Sequence, residues 1–454
     1  MYDILRSRLN NNFGRVALIA FNKYYSYQAL AKEIEKQELV FYEKNVGEGS
    51  IVVLVGDFSL ISVASLLALF FAKSTVIPLT REAYLKLEKY VDLLTPDFIY
   101  DTCDLTRIPI LTKTSYSSKN LEWRRVLPLN AGSLVVYTSG STGIPKAIVH
   151  NIDSLCYRYL ESRKPLISIC FLLFDHLGGI NTLFFVLFHG GTAVHISGRK
   201  VDEVCKAIED YKVELLPTTP SFLAQLLMAK CYNRYNLSSL KVISYGTEVM
   251  SDVILFRLND IFPNCTFKQT YGLSEIGVLQ ILSKDNRSLW FKFRDPGVEF
   301  KIESEVLWIK TASNLLAKVL FTDNTPVVEL PTDNWFCTDD LVVMDNEYLK
   351  ILGRKTDIIN VGGLKVYPSE VENCIYRCKI VDEVVVIGKN HPLLGQMVVA
   401  HVQLNYDLDK VEAVKILRRH CLDNLDKYKV PSQFILRTDE FVNDRFKKIR
   451  VETF

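Results

Sequence analysis

A loop rich in glycine and hydroxyl-bearing residues, placed between two apolar runs, is the feature that most constrains the fold of this chain. Residues 134–137 predict a buried strand, and a second apolar run begins after Lys146. Seven of the nine residues from Thr138 to Lys146 are hydroxyl-bearing residues, glycines or lysine. Glycines let backbone N–H groups approach an anion closely, and hydroxyls and lysine donate to phosphate oxygens. We therefore predict a phosphate-binding loop rather than an ordinary surface turn.

This loop differs from the common nucleotide-binding P-loop. No Gly-Lys-Ser/Thr sequence ends it, and no signature of a helix start follows it. The residues that we predict to contact phosphate are Thr138, Ser139, Gly140, Ser141, Thr142, Gly143 and Lys146.

The order of the apolar runs predicts the fold class. Residues 25–30 are typical of the start of an amphipathic helix capped by Ser26. Residues 49–55 are typical of a buried strand, residues 61–72 of a buried helix and residues 72–78 of the next strand. This strand–helix–strand rhythm predicts a parallel α/β fold. From about Val298 the strands become short and alternating, which predicts antiparallel sheet.

A chain of 454 residues is too long for one hydrophobic core, so we expect two or three domains. We predict a large N-terminal multi-layered α/β domain over residues 1–354 and a hinge at residues 355–357. A smaller C-terminal α/β domain would follow over residues 358–454, with a hairpin at Gly362 and Gly363.

The composition excludes several classes of protein. A net charge of +2 gives no general field for nucleic acid or an anionic membrane, so we expect neither as a partner. The ten cysteines are scattered, and Cys374 and Cys378 have no second pair to complete a zinc site. Reduced thiols in a cytoplasmic protein are the expectation.

Two further patterns bear on location. The first residues lack the basic start and apolar core of a secretory signal. Polar residues and glycines interrupt the apolar segment 171–188, so we expect a buried segment that lines a pocket, not a membrane span.

Four other stretches carry residues suited to chemistry. Within residues 271–275, Tyr271 offers an aromatic face to a purine, Gly272 allows close approach of the backbone, and Glu275 offers a carboxylate for Mg²⁺. Residues 335–340 end in Asp340, a carboxylate that we place at the end of a strand, where it suits ribose hydroxyls. Residues 353–372 combine a cation, a Gly-Gly hairpin and a helix start, and a basic run stands at residues 445–450. Each stretch alone has a plain structural explanation, but their spacing favours one site.

Together these stretches resemble the adenylate-forming superfamily, which contains acyl- and aryl-CoA synthetases, adenylation domains of peptide synthetases, and luciferases. The resemblance covers nearly the whole chain in the family's order. Residues 138–146 are similar to its phosphate loop, residues 271–275 to its Tyr-Gly-x-Thr-Glu motif and residues 335–340 to its Trp-Phe-x-Thr-Gly-Asp motif. Lys448 stands where the family has its catalytic lysine. In style the chain is closest to acyl-CoA ligases.

The resemblance implies a two-step reaction. ATP–Mg²⁺ and a carboxylic acid enter a cleft between a large domain and a small mobile one, and an acyl-adenylate and pyrophosphate form. The small domain then rotates at the hinge, Lys448 leaves, and the loop with Gly362 and Gly363 enters. A thiol of CoA, or of the phosphopantetheine on an acyl or peptidyl carrier protein, takes the acyl group as a thioester.

The same resemblance implies the roles of individual residues. Glu275 would hold Mg²⁺, Lys448 would bridge the carboxylate and the α-phosphate, and His176 would border the acid and the thiol route. The nucleotide would also be bound by Gly246, Thr247, Glu248, Tyr271, Gly272, Ser274, Asp340 and Arg354.

The chain departs from the family pattern at several positions. Ser274 replaces a threonine and keeps the hydroxyl, whereas Asp339 replaces the glycine before Asp340. Lys447 replaces the glycine before the catalytic lysine, so the pattern leaves open whether Lys447 or Lys448 acts. These changes also leave open a non-catalytic nucleotide-binding relative.

The sequence leaves two chemistries open for the acid. His176 followed by Gly179 resembles acyl- and aryl-CoA ligases, whereas Asp175 resembles the aspartate that holds the ammonium group in amino-acid-activating domains. We favour an acyl or aryl acid. The alternative is a stand-alone amino-acid adenylation enzyme that loads a carrier protein. Nothing in the sequence suggests an oxygen-using luciferase.

Overall fold

The computed structural model describes residues 1–115, 122–139, 144–295, 297–311, 315–323, 325–331, 335–405, 408–438 and 448, with only the backbone described for Ser139. Residues 140–143 of the predicted phosphate loop and Lys447 lie outside the described residues.

The described residues form helices and strands in the following order. The α-helices are α1 (Tyr2–Asn10), α2 (Tyr27–Glu43), α3 (Leu60–Phe71), α4 (Arg81–Leu93), α5 (Ile152–Cys156), α6 (Leu177–Phe188), α7 (Val201–Tyr211), α8 (Pro220–Ala229), α9 (Asp252–Ile261), α10 (Pro368–Tyr376) and α11 (Lys410–Asn424). The strands of the first half are β1 (Val16–Ala20), β2 (Lys23–Ser26), β3 (Ile51–Val55), β4 (Thr75–Leu79), β5 (Phe98–Asp101), β6 (Ile110–Lys113), β7 (Ser133–Ser139), β8 (Pro145–Asn151), β9 (Ile167–Ile169), β10 (Thr192–Val194), β11 (Leu215–Thr218), β12 (Val242–Tyr245) and β13 (Thr266–Gln269). The remaining strands are β14 (Tyr271–Leu273), β15 (Gly277–Leu279), β16 (Ile281–Ser283), β17 (Phe291–Phe293), β18 (Glu299–Glu303), β19 (Val306–Lys310), β20 (Leu315–Thr322), β21 (Thr325–Glu329), β22 (Trp335–Asp345), β23 (Tyr348–Arg354), β24 (Ile359–Val361), β25 (Leu364–Val366), β26 (Val381–His391), β27 (Gly395–Leu404) and β28 (Gln433–Leu436).

The chain divides into two compact units. The first comprises Met1–Pro217, Gly272–Val278 and Ala312–Asn334, and the second comprises Thr218–Tyr271, Leu279–Thr311 and Trp335–Phe454. The predicted hinge falls in the second unit, where Lys355–Asp357 forms a short 3-10 turn. The domain boundary at this position stays a prediction.

The first unit contains a sheet with the strand order β21-β20-β8-β7-β4-β3-β5-β6. Its centre is parallel, as the strand–helix–strand rhythm predicted: β3 pairs in parallel with β4 and with β5. Side chains of β3 point alternately into two separate cores, with Val52 and Leu54 in one and Ile51 and Val53 in the other. This alternation means that the sheet is covered on both faces, which explains why all of β3 is apolar.

Helix α2 begins where the sequence predicted. The Ser26 hydroxyl caps it by accepting a hydrogen bond from the Ala29 N–H. Its buried face packs with α3, a helix apolar almost all round because most of its residues are buried. Also in this unit, β9 pairs in parallel with β10 and β11, and β10 pairs with β1.

The second unit is largely antiparallel, as predicted beyond Val298. One sheet has the order β16-β17-β23-β22-β19-β18, and another has the order β25-β24-β27-β26 with β28 beside β27. Gly362 and Gly363 join β24 and β25 with φ angles of 57° and 88°. Two consecutive positive φ angles are the requirement of a tight hairpin turn, so glycine is needed at both positions. The predicted hairpin is therefore confirmed.

The ten cysteines are free thiols, as predicted. Within the described ranges, no helix combines the length and the apolar character that a membrane span requires.

Candidate active site

The first unit carries the phosphate-loop hairpin. Strands β7 and β8 are antiparallel neighbours, with Thr138 opposite Lys146 and Ser139 opposite Pro145. Directly opposed residues project from the same face of a sheet, so the side chains of Thr138 and Lys146 share one face. A strand follows the loop instead of a helix. The predicted phosphate contacts therefore have no helix N-terminus at this point of the chain, and they stay a prediction.

Glu275 lies in the first unit, in the turn between β14 and β15. The turn is tight because a Cβ on Gly272 would lie 2.4 Å from the Gly277 carbonyl oxygen. Glu275 and Ser274 are half-buried, and the Glu275 side chain makes no hydrogen bond or ion pair within the described part of the chain. A single unpaired carboxylate suits Mg²⁺, which keeps several waters and takes its other ligands from phosphate. In the described ranges no three His, Cys, Asp or Glu side chains cluster as a protein-only metal site.

His176 is the N-cap residue of α6 and is half-buried. The His176 and Gly179 pattern also has a packing reason: glycine is needed at position 179, because a Cβ there would lie 1.9 Å from the Leu173 carbonyl oxygen. The His176 side chain thus stands at the start of a helix that is held tightly against the preceding segment.

Asp175 belongs to a buried polar cluster of the first unit. It is 6% exposed, and its carboxylate accepts a hydrogen bond of 3.3 Å from the Thr80 hydroxyl. Burial lowers the pKa of Arg199, while Asp57 and Asp175 raise it. The negative charges of Asp57 and Asp175 therefore favour the protonated form of the Arg199 guanidinium group.

A small apolar pocket lies beside α6 in the first unit. Its lining residues are Leu155, Arg158, Tyr159, Leu177, Ile180, Asn181, Phe184 and Val278. Two of the polar groups already have partners: Arg158 donates to the Val278 carbonyl oxygen, and the Tyr159 hydroxyl donates to the Asn181 side chain at 2.8 Å. Among the described residues that line it, none is acidic. The expectation that the apolar segment lines a pocket is confirmed.

Three predicted nucleotide-binding residues meet in the second unit. The Tyr271 hydroxyl donates to Asp340 Oδ2 at 2.7 Å, and Arg354 Nε lies 2.9 Å from Asp340 Oδ1. Asp340 is 6% exposed, and burial raises its pKa, whereas Arg354 lowers it. Burial also raises the pKa of Tyr271, which therefore stays protonated and donates. Sequence reasoning placed Asp340 at a strand end, but it lies within β22, opposite Arg354 of β23.

The ring of Tyr271 is 5% exposed and stacks on Phe291, with 5.7 Å between the ring centroids. The structure thus gives Tyr271 a hydrogen-bonding role toward Asp340 that the sequence did not predict. Its stacking on adenine stays a prediction.

Asp339 adopts a left-handed conformation, with φ of 57°. This explains why the related motif has glycine at the position, since glycine adopts positive φ without steric cost. We expect Asp339→Gly to stabilise the protein by about 0.5–1 kcal/mol in denaturant unfolding, because it relieves backbone strain. A loss of stability would mean that the Asp339 side chain contributes more than its backbone costs.

The turn at Gly246, Thr247 and Glu248 follows β12 in the second unit. Thr247 has a positive φ of 70°. The Glu248 carboxylate accepts hydrogen bonds from the Ser221 N–H at 3.1 Å and from the Ser221 hydroxyl at 2.6 Å. Glu248 therefore ties this turn to the start of α8, and nucleotide binding by the turn stays a prediction.

Lys448 is placed among buried polar groups of the second unit. Its ammonium lies 3.1 Å from Glu383, 3.6 Å from Glu372 and 2.8 Å from the Val384 carbonyl oxygen. The Tyr376 hydroxyl lies 3.2 Å away. Sequence reasoning gave no role to these partners, because no local pattern indicates that residues 64 to 76 positions earlier will surround Lys448.

Two family models match the chain. Residues 98–303 match AMP-binding enzymes, and residues 370–448 match the C-terminal domain of AMP-binding enzymes.

Named relatives are similar over much of the chain. A long-chain-fatty-acid–CoA ligase of Haemophilus influenzae is 27% identical over 69% of this chain, and the matched part spans 59% of its length. A 2-succinylbenzoate–CoA ligase of Listeria innocua is 22% identical over 96% of this chain and 95% of its own.

The fold also matches solved structures. The o-succinylbenzoate CoA synthetase of Bacillus subtilis, in complex with its acyl-adenylate intermediate, superposes with a TM-score of 0.71 at 19% identity. The match covers 98% of this chain and 96% of that one. The predicted fold class is therefore confirmed.

Proposed function

This chain is a member of the adenylate-forming superfamily of AMP-binding enzymes, and we propose that it is an AMP-forming acid–thiol ligase. In the first step, a carboxylate oxygen attacks the α-phosphorus of ATP, the bond to the β-phosphate bridge breaks, and pyrophosphate leaves. In the second step, a thiol attacks the acyl carbon, AMP leaves, and a thioester remains. The observation that carries the proposal is the presence of both family domains in one chain, in the family's order.

We assign roles in this chemistry to the predicted site residues as follows. Thr138 and Lys146 orient the phosphates that leave, together with the loop between them. Glu275 would hold Mg²⁺, which would neutralise phosphate charge. Asp340 accepts hydrogen bonds from the ribose hydroxyls, with Arg354 and Tyr271 fixing its carboxylate. Lys448 offsets the negative charge that develops during adenylation.

The surroundings of α6 favour an uncharged acyl or aryl group over an amino acid. An ammonium group buried without a counter-ion is strongly unfavourable. No acidic side chain lines the described pocket, and the Asp175 carboxylate already accepts a hydrogen bond from the Thr80 hydroxyl. The acceptor is the thiol of CoA or of a carrier-bound phosphopantetheine, which present the same reacting group.

Acid-dependent exchange of pyrophosphate into ATP tests the function and the substrate class together. The panel pairs aromatic and aliphatic acids with their α-amino analogues. We expect exchange at least about tenfold faster with the acids that lack the amino group, in line with the cost of burying an unpaired charge. Preference for the amino acids would overturn the substrate class. No exchange with any acid, in protein that still binds ATP, would instead support a non-catalytic relative.

The acceptor is tested by supplying the purified acyl-adenylate with either thiol. Thioester formation with CoA at a rate comparable to adenylation supports a CoA ligase. Formation only with a phosphopantetheinylated carrier protein supports a loading enzyme.

Lys146→Ala should slow adenylation by about 10- to 100-fold, because a charge that stabilises the leaving group is lost. Thioester formation from supplied acyl-adenylate should be nearly unchanged, since pyrophosphate has already left. Single-turnover assays of both half-reactions measure this, with Lys113→Ala, an exposed lysine on β6, as the control. Equal losses in both half-reactions would contradict the role of the loop.

Nucleotide affinity should fall on acidification. Burial raises the pKa of Asp340, so its carboxyl group takes up a proton at higher pH than an exposed aspartate does. Only the ionised form accepts hydrogen bonds from both ribose hydroxyls. We therefore expect AMP binding, measured by calorimetry from neutral pH down to about pH 4, near which an exposed aspartate titrates, to weaken as the pH falls. Affinity that is flat over this range would contradict the assignment.

A further inference from the structure

Lys448 does not extend freely from the basic tail of the chain. Its side chain is 13% exposed, and its ammonium lies 3.1 Å from Glu383 Oε1 and 3.6 Å from Glu372 Oε2. It also lies 2.8 Å from the Val384 carbonyl oxygen and 5.1 Å from the centroid of the Tyr376 ring. An ammonium group has three N–H donors, and within hydrogen-bond distance of it lie three acceptors: Glu383, the Val384 carbonyl oxygen and the Tyr376 hydroxyl at 3.2 Å.

The two carboxylates are held in place independently of Lys448. Glu383 accepts from the Val384 N–H at 3.1 Å and from the Tyr376 hydroxyl. Glu372 accepts from the Val386 N–H at 2.9 Å. Residues of α10 and β26 therefore build an acceptor site into which the lysine fits.

The charge balance of this site favours retention of the lysine. Glu372 is 6% exposed and Glu383 is 4% exposed. Burial raises the pKa of Tyr376 well above its ordinary value, so its hydroxyl stays a neutral donor. Departure of Lys448 would leave two buried carboxylates without that counter-charge, which is strongly unfavourable.

The backbone of Lys448 is tied as well. Its N–H donates to Glu248 Oε1, and the other oxygen of that carboxylate binds Ser221 at the start of α8. The position of Lys448 is thus fixed at both its main chain and its side chain.

We propose that Glu372, Tyr376 and Glu383 form a holding site for the Lys448 ammonium and set the fraction of the enzyme in which this lysine is available for adenylation. The inference rests on the proposed function of Lys448. While its three donors are bound in the holding site, the ammonium does not bridge the acid and the α-phosphate. The three residues are therefore positioning residues that restrain adenylation and leave attack by the thiol unaffected.

The test uses the full-length protein and the variant Glu383→Gln, which keeps the shape of the side chain and removes its charge. Glu370→Gln is the control, because Glu370 lies on α10, the helix that carries Glu372 and Tyr376, but pairs with Lys429 at 2.7 Å instead of with Lys448. Acylation of Lys448 by acetic anhydride is followed by peptide mass spectrometry. We expect Lys448 to react about tenfold faster in Glu383→Gln than in the wild type or the control. In Glu383→Gln the labelling of Lys429, which is 16% exposed, should stay at the wild-type rate and reports that the domain remains folded, whereas in Glu370→Gln it should rise because Lys429 loses its charged partner Glu370.

The half-reactions provide the second readout. Pyrophosphate exchange should rise severalfold in Glu383→Gln, whereas thioester formation from supplied acyl-adenylate should stay the same. Tyr376→Phe removes only one hydroxyl group, so it should raise the labelling rate of Lys448 and the rate of pyrophosphate exchange by smaller factors. This variant takes the place of Glu383→Gln if Glu383→Gln fails to fold. If Lys448 is labelled at the wild-type rate in both Glu383→Gln and Tyr376→Phe, the holding site is overturned. Faster labelling without faster exchange would overturn its control over adenylation.

If the proposed function itself is wrong, the exchange assay gives a different result. Wild-type protein would then show no exchange with any acid, while the labelling experiment would still report whether Lys448 is held.

Discussion

Lys448→Ala is expected to slow acyl-adenylate formation by about 100- to 1,000-fold, the loss typical for removal of one group that stabilises a developing negative charge. Thioester formation from supplied acyl-adenylate should change by less than about twofold. In that step the thiol attacks the acyl carbon, and the α-phosphorus, where Lys448 acts, no longer reacts. Pre-steady-state pyrophosphate release and thioester formation measure the two steps separately.

Lys447→Ala is the matched control for this prediction, since the two lysines are adjacent and carry the same charge. It should leave both steps near their wild-type rates. Loss of adenylation in Lys447→Ala with retention in Lys448→Ala would transfer the catalytic role to Lys447. Glu372 and Glu383 would then hold Lys448 for stability alone.

Lys448→Ala should also lower the stability of the protein. Truncation of Lys448 leaves Glu372 and Glu383 buried without its charge, at a cost on the order of 3 kcal/mol. Kinetics of Lys448→Ala are therefore compared at a temperature where denaturant titration shows the variant to be folded.

Asp340→Asn is expected to weaken AMP and ATP binding by about 10- to 100-fold. Hydrogen bonds to a charged acceptor contribute roughly 1.5–3 kcal/mol each, and the amide keeps one acceptor oxygen but loses the charge. Arg354 also loses its ion-pair partner, which lies 2.9 Å away in the wild type. Calorimetric titration with AMP measures the effect without requiring the acid substrate.

Asp339→Asn controls for Asp340→Asn, because it removes a neighbouring charge from the same strand and keeps a residue that tolerates positive φ. It should leave AMP affinity within about twofold. If both variants bind AMP like the wild type, Asp340 does not contact ribose, and its hydrogen bonds with Tyr271 and Arg354 serve only the fold. If Asp340→Asn still binds AMP and its affinity still depends on pH, a group other than Asp340 causes the pH effect.

Local patterns in the sequence predicted local structure well. Ser26 marks the start of α2, the two glycines mark the hairpin between β24 and β25, and the apolar residues 49–55 contain β3. In each case, the signal and the structure it specifies lie within a few residues. The stretch at residues 271–275 was harder, because Ser274 and Glu275 are also good first-turn residues of a helix, whereas the chain forms a tight strand–turn–strand there.

The partners of the site residues followed no such pattern. Tyr271 and Asp340 are 69 positions apart, and Lys448 lies among groups from α10 and β26. A carboxylate that binds a ligand and one that holds a lysine look the same in a sequence, since the difference lies in what the fold brings beside them.

The sequence by itself determined the fold class, the order of the motifs and the membership of the family, because hydrophobic periodicity and short glycine or hydroxyl patterns act over neighbouring residues. Tertiary structure alone decided which charges are compensated. It placed Asp175 near Arg199, bound Asp340 to Tyr271 and Arg354, and enclosed Lys448 between Glu372 and Glu383. Burial and distance set the strength of these interactions, and both arise only when distant segments pack together.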